Sequence, residues 1–262
     1  MENMNRDGCK LGEEPNILQA DAILFDKDGT LLDFTYMWGF WTDRVIESFR
    51  ERLAERGLTI ADKDLPWIWG TEHDAAGFMN GYDKRGPLAM GTMDEMYAVL
   101  NWHGYRAGLS WAEAKMMVRD CLEHAEKEME ATRPARLLPG AGDFLDRCRS
   151  AGVRMGVVTA DETESARRHL RWLEIEEYFD VVIGTDMAER GKPFPDLCLL
   201  ACEHLGVMPH RVVVIGDTDG DMEMGRAAGV LLKVGIGEEG VLKLADFTVP
   251  SFESLLENGV NG

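Results

Sequence analysis

Ala22-Ile23-Leu24-Phe25-Asp26-Lys27-Asp28-Gly29-Thr30, residues 22–30, decides the fold. Four apolar residues run together without alternating, the pattern of a strand covered on both faces, and Asp28-Gly29 then offers a turn. Two acids stand two positions apart at the strand's tip. As structure alone they would be a liability, because a buried carboxylate loses its water.

Runs of the same kind recur later. Residues 153–158 (VRMGVV), 179–184 (FDVVIG), 211–216 (RVVVIG) and 229–235 (GVLLKVG) read as strands, with helices expected near 141–151, 162–172, 195–205 and 219–228. Pro195 suits the first turn of the third helix. This alternation is that of βα units around a parallel sheet. The gap after Phe25 is too long for one crossover helix, and Tyr36–Arg56, Met93–Asn101 and Trp111–Ala131 are rich in Ala, Glu, Met and Arg. These favour helix. Thr92 with Glu95 and Ser110 with Glu113 have capping-box spacing. The expectation is an α/β fold: a Rossmann-like parallel-sheet core over 20–34 and 136–262, an inserted α-helical domain over 35–135, and a loose arm over 1–19. Trp38, Trp41, Trp67, Trp69, Trp102 and Trp111 fall in the insertion. Aromatics at helical spacing are more often core than ligand contacts, and Trp38 and Trp41 are expected to pack one helix.

The bulk numbers narrow the function. The chain has 262 residues, 45% apolar and 29% charged, ordinary globular usage. Its formal net charge of -19 would repel a nucleic-acid backbone or an anionic membrane. Neither is an expected partner. No stretch approaches the ~18 apolar residues of a membrane span. The five Cys (9, 121, 148, 198, 202) form no CxxC pair; Cys198 and Cys202 share a helical face without completing a metal set. Buried small hydrophobes in a reducing cytoplasm are expected.

In open α/β sheets, ligands sit beyond the carboxyl ends of the strands. Asp26 and Asp28, Thr159, the Gly191-Lys192-Pro193 loop, and Asp217 with Asp221 all fall there. A carboxylate can take a phosphoryl group, splitting one hard transfer into two easier ones. Asp26 is placed for that. Asp28 would face the same side if the chain stayed extended, within reach of the leaving oxygen; such acid–base help is worth about 10²- to 10⁴-fold. An anionic nucleophile meeting a phosphate monoester needs positive charge. Lys192 offers one, and magnesium another, bound by Asp26, a backbone carbonyl near Asp28, and Asp217. Thr159 could add a hydroxyl donor.

Together Phe25-Asp26-Lys27-Asp28-Gly29-Thr30, Val158-Thr159-Ala160, Gly191-Lys192-Pro193-Phe194-Pro195-Asp196 and Gly216-Asp217-Thr218-Asp219-Gly220-Asp221 resemble the four motifs of the haloacid dehalogenase superfamily, in order and on the right type of strand. Within it, the chain resembles the phosphoglycolate-phosphatase-like group with a helical cap. The resemblance implies Asp26 as nucleophile, Asp28 as general acid/base, Thr159 and Lys192 as phosphate binders beside Gly29 and Ala160, and Asp26, Asp28, Asp217 and Asp221 around magnesium, Asp221 through water. It implies a small phosphorylated metabolite as substrate and a cap that opens and closes. Asp28 favours phosphoryl transfer, since dehalogenases and phosphonoacetaldehyde hydrolases lack an acid there. A phosphosugar mutase of the beta-phosphoglucomutase kind is the alternative enzyme, and a non-catalytic phospholigand-binding module the alternative class.

Each motif also has a plainer reading. Thr159 with Glu162 fits a capping box, so Thr159 is expected to cap the following helix as well. Lys192 beside a Pro could be a solvated loop residue. A calcium loop starting at Asp217 fails because Met222 and Ala228 replace the Gly and Glu it needs, and a P-loop at Gly184 to Lys192 fails because six residues separate its glycines and Pro193 follows the Lys. In the insertion, Lys84 and Arg85 could bind the substrate's anionic remainder or form a solvated basic loop.

Overall fold

The computed structural model describes residues 17–64 and 66–258, the side chains of 62, 66, 67 and 258 excepted. Of the arm expected over 1–19, only Ile17–Gln19 is described: a 3-10 turn, with Ile17 buried in the core and so not loose. Trp67's side chain and Cys9 lie outside the described residues.

In chain order come β1 (Ala22–Phe25), α1 (Phe34–Ala54), the single turn α2 (Pro66–Trp69), β2 (Thr71–His73), β3 (Met79–Tyr82), the single turn α3 (Pro87–Met90), α4 (Met93–Ala107) and α5 (Trp111–Thr132). There follow α6 (Ala141–Ser150), β4 (Arg154–Val158), α7 (Thr163–Trp172), β5 (Val181–Ile183), α8 (Asp196–Leu205), β6 (Val212–Gly216), α9 (Asp219–Ala228), β7 (Leu232–Ile236), β8 (Phe247–Val249) and α10 (Phe252–Asn258). The chain divides into two compact units, one of residues 1–32 with 137–262 and one of 33–136.

The first unit is a six-stranded sheet in the order β5-β4-β1-β6-β7-β8, all pairs parallel. β1 is central, aligning Ala22 with both Arg154 and Val212. Period-2 alternation explains its unbroken apolar run. Ile23 and Phe25 face a cluster with Phe144 of α6, Leu170 of α7 and Phe252 of α10, while Ala22 and Leu24 face one with Leu197 and Cys198 of α8 and Met224 of α9. Phe25 anchors the first, with the Phe144, Phe179 and Phe252 rings at 6.1, 5.9 and 6.3 Å. Such aromatic pairs add to simple burial. β8 and α10 were not legible as elements from the sequence; Phe247-Thr248-Val249 is too short for a periodic signal.

The second unit is built on α1, α4 and α5. Met37, Trp41, Val45, Phe49 and Leu53 recur every four residues along one face of α1 and are all buried. Trp41 stacks on Trp69 at 5.1 Å, and Trp69 Nε1 donates to Met96 O at 3.0 Å. Trp38 meets Trp41 edge-on, whereas Trp102 and Trp111 are exposed. Both expected capping boxes form, at Thr92/Glu95 and Ser110/Glu113. To the mostly helical expectation the structure adds one hairpin: β2 and β3 pair antiparallel, with an irregularity between Glu72 and His73. Its strands hold Asn80 and Gly81 and too few β-branched residues to announce themselves. Another correction concerns Thr159, which caps no helix: α7 starts at Thr163 after Glu162, and Thr159 Oγ1 accepts instead from Asp161 N at 3.1 Å.

Among the described residues no helix is long and apolar enough to cross a membrane. Cys121, Cys148, Cys198 and Cys202 are buried free thiols, and burial pushes the Cys148 thiol up to about 12.

Phe25→Ala is expected to lower the unfolding free energy by about 3–5 kcal/mol, read as a lower urea midpoint at unchanged slope. A loss below ~1 kcal/mol would mean that Phe25 does not anchor this cluster.

Candidate active site

The turn after β1 is built by its own backbone. Asp26 N donates to Ile215 O at 2.8 Å, extending the ladder by one residue, and Lys27 O then accepts from both Leu31 N and Leu32 N at 3.0 and 2.9 Å. The chain therefore bends at Lys27, and the extended geometry expected through Asp28 is not kept. Gly29 closes the bend at φ 80°, where an added Cβ would lie 2.6 Å from Asp217 Oδ2. Glycine is required there twice over, by conformation and by space.

Asp217, just beyond β6, is 2% exposed, and Thr30 Oγ1 donates to its Oδ1 at 3.4 Å. Asp221 sits in the first turn of α9 and forms a capping box with Thr218, its Oδ2 accepting from Thr218 N and Oγ1 at 3.1 and 2.5 Å. Its Oδ1 is left for Lys192 Nζ, 2.6 Å away. Gly216 leaves room for this, since a Cβ there would meet Asp221 Cβ at 2.5 Å.

Lys192, which precedes the cis peptide to Pro193, also reaches Asp26 Oδ1 at 2.5 Å. Burial presses its ammonium toward neutrality, but Asp221 and Asp26 outweigh that and raise its pKa. It is charged. For Asp26 the balance runs the other way: burial, aided by Asp221, Asp217 and Asp28, pushes its carboxyl well above the ordinary range against the pull of Lys192.

One oxygen each from Asp26, Asp217 and Asp221 can gather within 4.8 Å, with all three residues buried. Three hard oxygen donors whose mutual repulsion exceeds what one lysine offsets fit a divalent cation. Asp28's carboxylate is not in that triad, and its Oδ2 instead lies 2.6 Å from Lys27 Nζ. What remains for Asp28 toward a cation is the backbone carbonyl expected near it.

Thr159 is 1% exposed at the end of β4, and Ala160 beside it is exposed. The hydroxyl of Thr159 accepts from Asp161 N and so keeps its own proton to donate. Lys84 and Arg85 belong to the other unit, exposed in the turn after β3, where Arg85 lies 3.7 Å from Asp83.

The sequence reading missed a second cluster. Lys27 is 0% exposed and meets, besides Asp28, Asp161 and His169. The one signal was a lysine set between two acids at the tip of a buried strand, where an ammonium has carboxylates to pair with. Nothing local announces its partners.

Comparison with known proteins bears on this arrangement. A family described as haloacid dehalogenase-like hydrolase matches residues 20–229. A phosphorylated carbohydrates phosphatase of Thermotoga maritima is 31% identical over 131 residues, 48% of this chain and 61% of that protein. A phosphoglycolate phosphatase of Salmonella typhimurium is 36% identical over 125 residues, 46% of this chain and 50% of that one. The chain thus spans about half to three-fifths the length of these curated relatives. A crystal structure of beta-phosphoglucomutase from Clostridium difficile superposes with a TM-score of 0.59 at 19% identity, covering 92% of this chain and 97% of that one. At that identity the likeness is one of fold.

Magnesium at about a hundred times its Kd is expected to raise stability by ~2.7 kcal/mol, read as a higher melting temperature. Asp217→Asn is expected to abolish that rise while leaving the metal-free protein folded. A rise of wild-type size in the variant would rule the triad out as the cation site.

Proposed function

This chain belongs to the haloacid dehalogenase-like hydrolase family, and we propose that it hydrolyses the phosphate monoester of a small organic molecule through an aspartyl-phosphate on Asp26, with magnesium. The observation that carries the reading is Asp26 itself. It is a buried carboxylate at a strand tip, 2.5 Å from a charged lysine and grouped with two further acids. The phosphatases among its relatives support the same class.

An Asp26 oxygen attacks phosphorus as the bond to the ester oxygen breaks, and Asp28 gives that oxygen a proton. Water then attacks the phosphorus of the acyl phosphate and returns a proton to Asp28, releasing inorganic phosphate and regenerating Asp26. Lys192 offsets charge where nucleophile and phosphoryl group meet, and the Thr159 hydroxyl, with Gly29 and Ala160, holds phosphoryl oxygens. Magnesium, held by Asp26, Asp217, Asp221 and a carbonyl near Asp28, would neutralise developing negative charge. Asp28 separates this reading from carbon–halogen chemistry, where a leaving halide needs no proton.

A panel of phosphorylated metabolites, assayed for free phosphate with and without magnesium, tests the reading. Wild type is expected to release phosphate only with the metal, and Asp26→Asn to lose about 10³-fold or more, as removal of a nucleophile does. Turnover near wild type in that variant would sink the nucleophile assignment. With a hexose 1-phosphate, free sugar is the expected product. Formation of the 6-phosphate would make the protein a mutase, and no release from any member would leave only phospholigand binding.

A further inference from the structure

We propose that Lys27 is a positioning residue, a buried ammonium that grips the carboxylate of Asp28 from behind and is itself held by Asp161 and His169. The proposal rests on Asp28 acting as the acid of a phosphatase, and adds what fixes that acid in place.

Lys27 is 0% exposed, in a sheet-end environment where an unmatched ammonium would carry a heavy desolvation cost. An ammonium has three N–H donors and no acceptor. Asp28 Oδ2 at 2.6 Å and His169 Nδ1 at 3.1 Å face this one, and Asp161 Oδ2, at 3.4 Å, pairs with its charge without a hydrogen bond. Because the ammonium can only donate, Nδ1 accepts, and a neutral His169 carries its proton on Nε2. The imidazole is 1% exposed and its ring centroid lies 5.0 Å from that of Trp172, so it has little room to turn. Burial and then the Lys27 charge hold His169 below its ordinary pKa, consistent with the neutral ring.

Asp161 completes the anchor. Burial pushes its carboxyl up, but the Lys27 charge outweighs this and holds it well below the usual range. Its backbone is fixed as well, since its N–H donates to Thr159 Oγ1 and its carbonyl accepts from Thr185 N at 2.9 Å. The anchor is thus tied to the ends of β4 and β5 and to α7. Asp28, by contrast, keeps 17% of its side chain exposed and stands outside the metal-capable triad. An acid that must meet a leaving oxygen gains from being held at one rotamer, since misplacement by about 1 Å can cost 10²-fold.

Protonation of the leaving group matters for an alkyl phosphate and hardly for p-nitrophenyl phosphate, whose phenolate leaves unaided. The value of kcat/KM reports the steps through the first phosphoryl transfer only. Lys27→Met is therefore expected to lower kcat/KM for glycerol 3-phosphate by about 10²-fold more than for p-nitrophenyl phosphate, the lower end of what acid catalysis contributes. His169→Gln and Asp161→Asn, which leave Lys27 in place, are expected to show the same selectivity at about tenfold; they carry the test if Lys27→Met does not fold. In an Asp28→Asn background, Lys27→Met is expected to add no selectivity. Equal losses on both esters, or further selectivity in that background, would reduce Lys27 to a structural role and overturn the proposal. Should the wild type not turn over glycerol 3-phosphate, the alkyl phosphate of the panel that it hydrolyses best takes its place, and only the absence of release from every panel member would remove the phosphatase reading and this role together.

Discussion

Five carboxylates and two ammonium groups share the carboxyl end of one parallel sheet, and keeping that charge out of water is the constraint on which the rest depends. Neither lysine is dispensable as a counter-charge. Lys192 spans Asp26 and Asp221, while Lys27 spans Asp28 and Asp161, so the acids are sorted into two sets by the cation they face. One set retains excess negative charge and gathers three oxygens for a metal. The other sets one ammonium against two carboxylates and an imidazole.

That sorting also explains how an acidic protein could receive an anion. The net charge of -19 acts over the whole surface, but at physiological ionic strength it is screened within about 8 Å. Under the proposed function, what an approaching phosphate would meet at contact is set locally by Lys192, the Thr159 hydroxyl and the cation the acids would hold. The two acids of the strand tip are not equivalent in this respect. Asp26 lies in the metal-capable triad beside Lys192 with a raised carboxyl pKa, and Asp28 lies outside the triad against Lys27.

Much of the core was legible because parallel strands buried on both faces leave unbroken apolar runs. The runs at 153–158, 179–184, 211–216 and 229–235 became β4, β5, β6 and β7 with small shifts at their ends. Asp26, Lys192, Asp217 and Asp221 were legible from their places just past those strands, and the structure brings all four together. The anchor of Asp28 was not, because Lys27 and His169 are 142 residues apart and no spacing rule links them. The β2–β3 hairpin stayed hidden for a different reason. Its glycine and asparagine carry little strand preference, and pairing, not propensity, makes it a sheet. The capping-box spacing of Thr159 and Glu162 misleads because the same residue type serves a tight turn to Asp161.

β1 occupies the centre of the sheet, yet its partners begin only at Arg154 and Val212. During synthesis at about 5–20 residues per second, this apolar strand leaves the ribosome well before either partner and stays without them for several seconds at the least. A bare run of Ala-Ile-Leu-Phe is the kind of segment that seeks any strand edge it meets. Asp26, Lys27 and Asp28 follow it directly, and charges flanking such a run discourage wrong pairing in the nascent chain. The residues that will later share buried charge thus act first as gatekeepers of solubility.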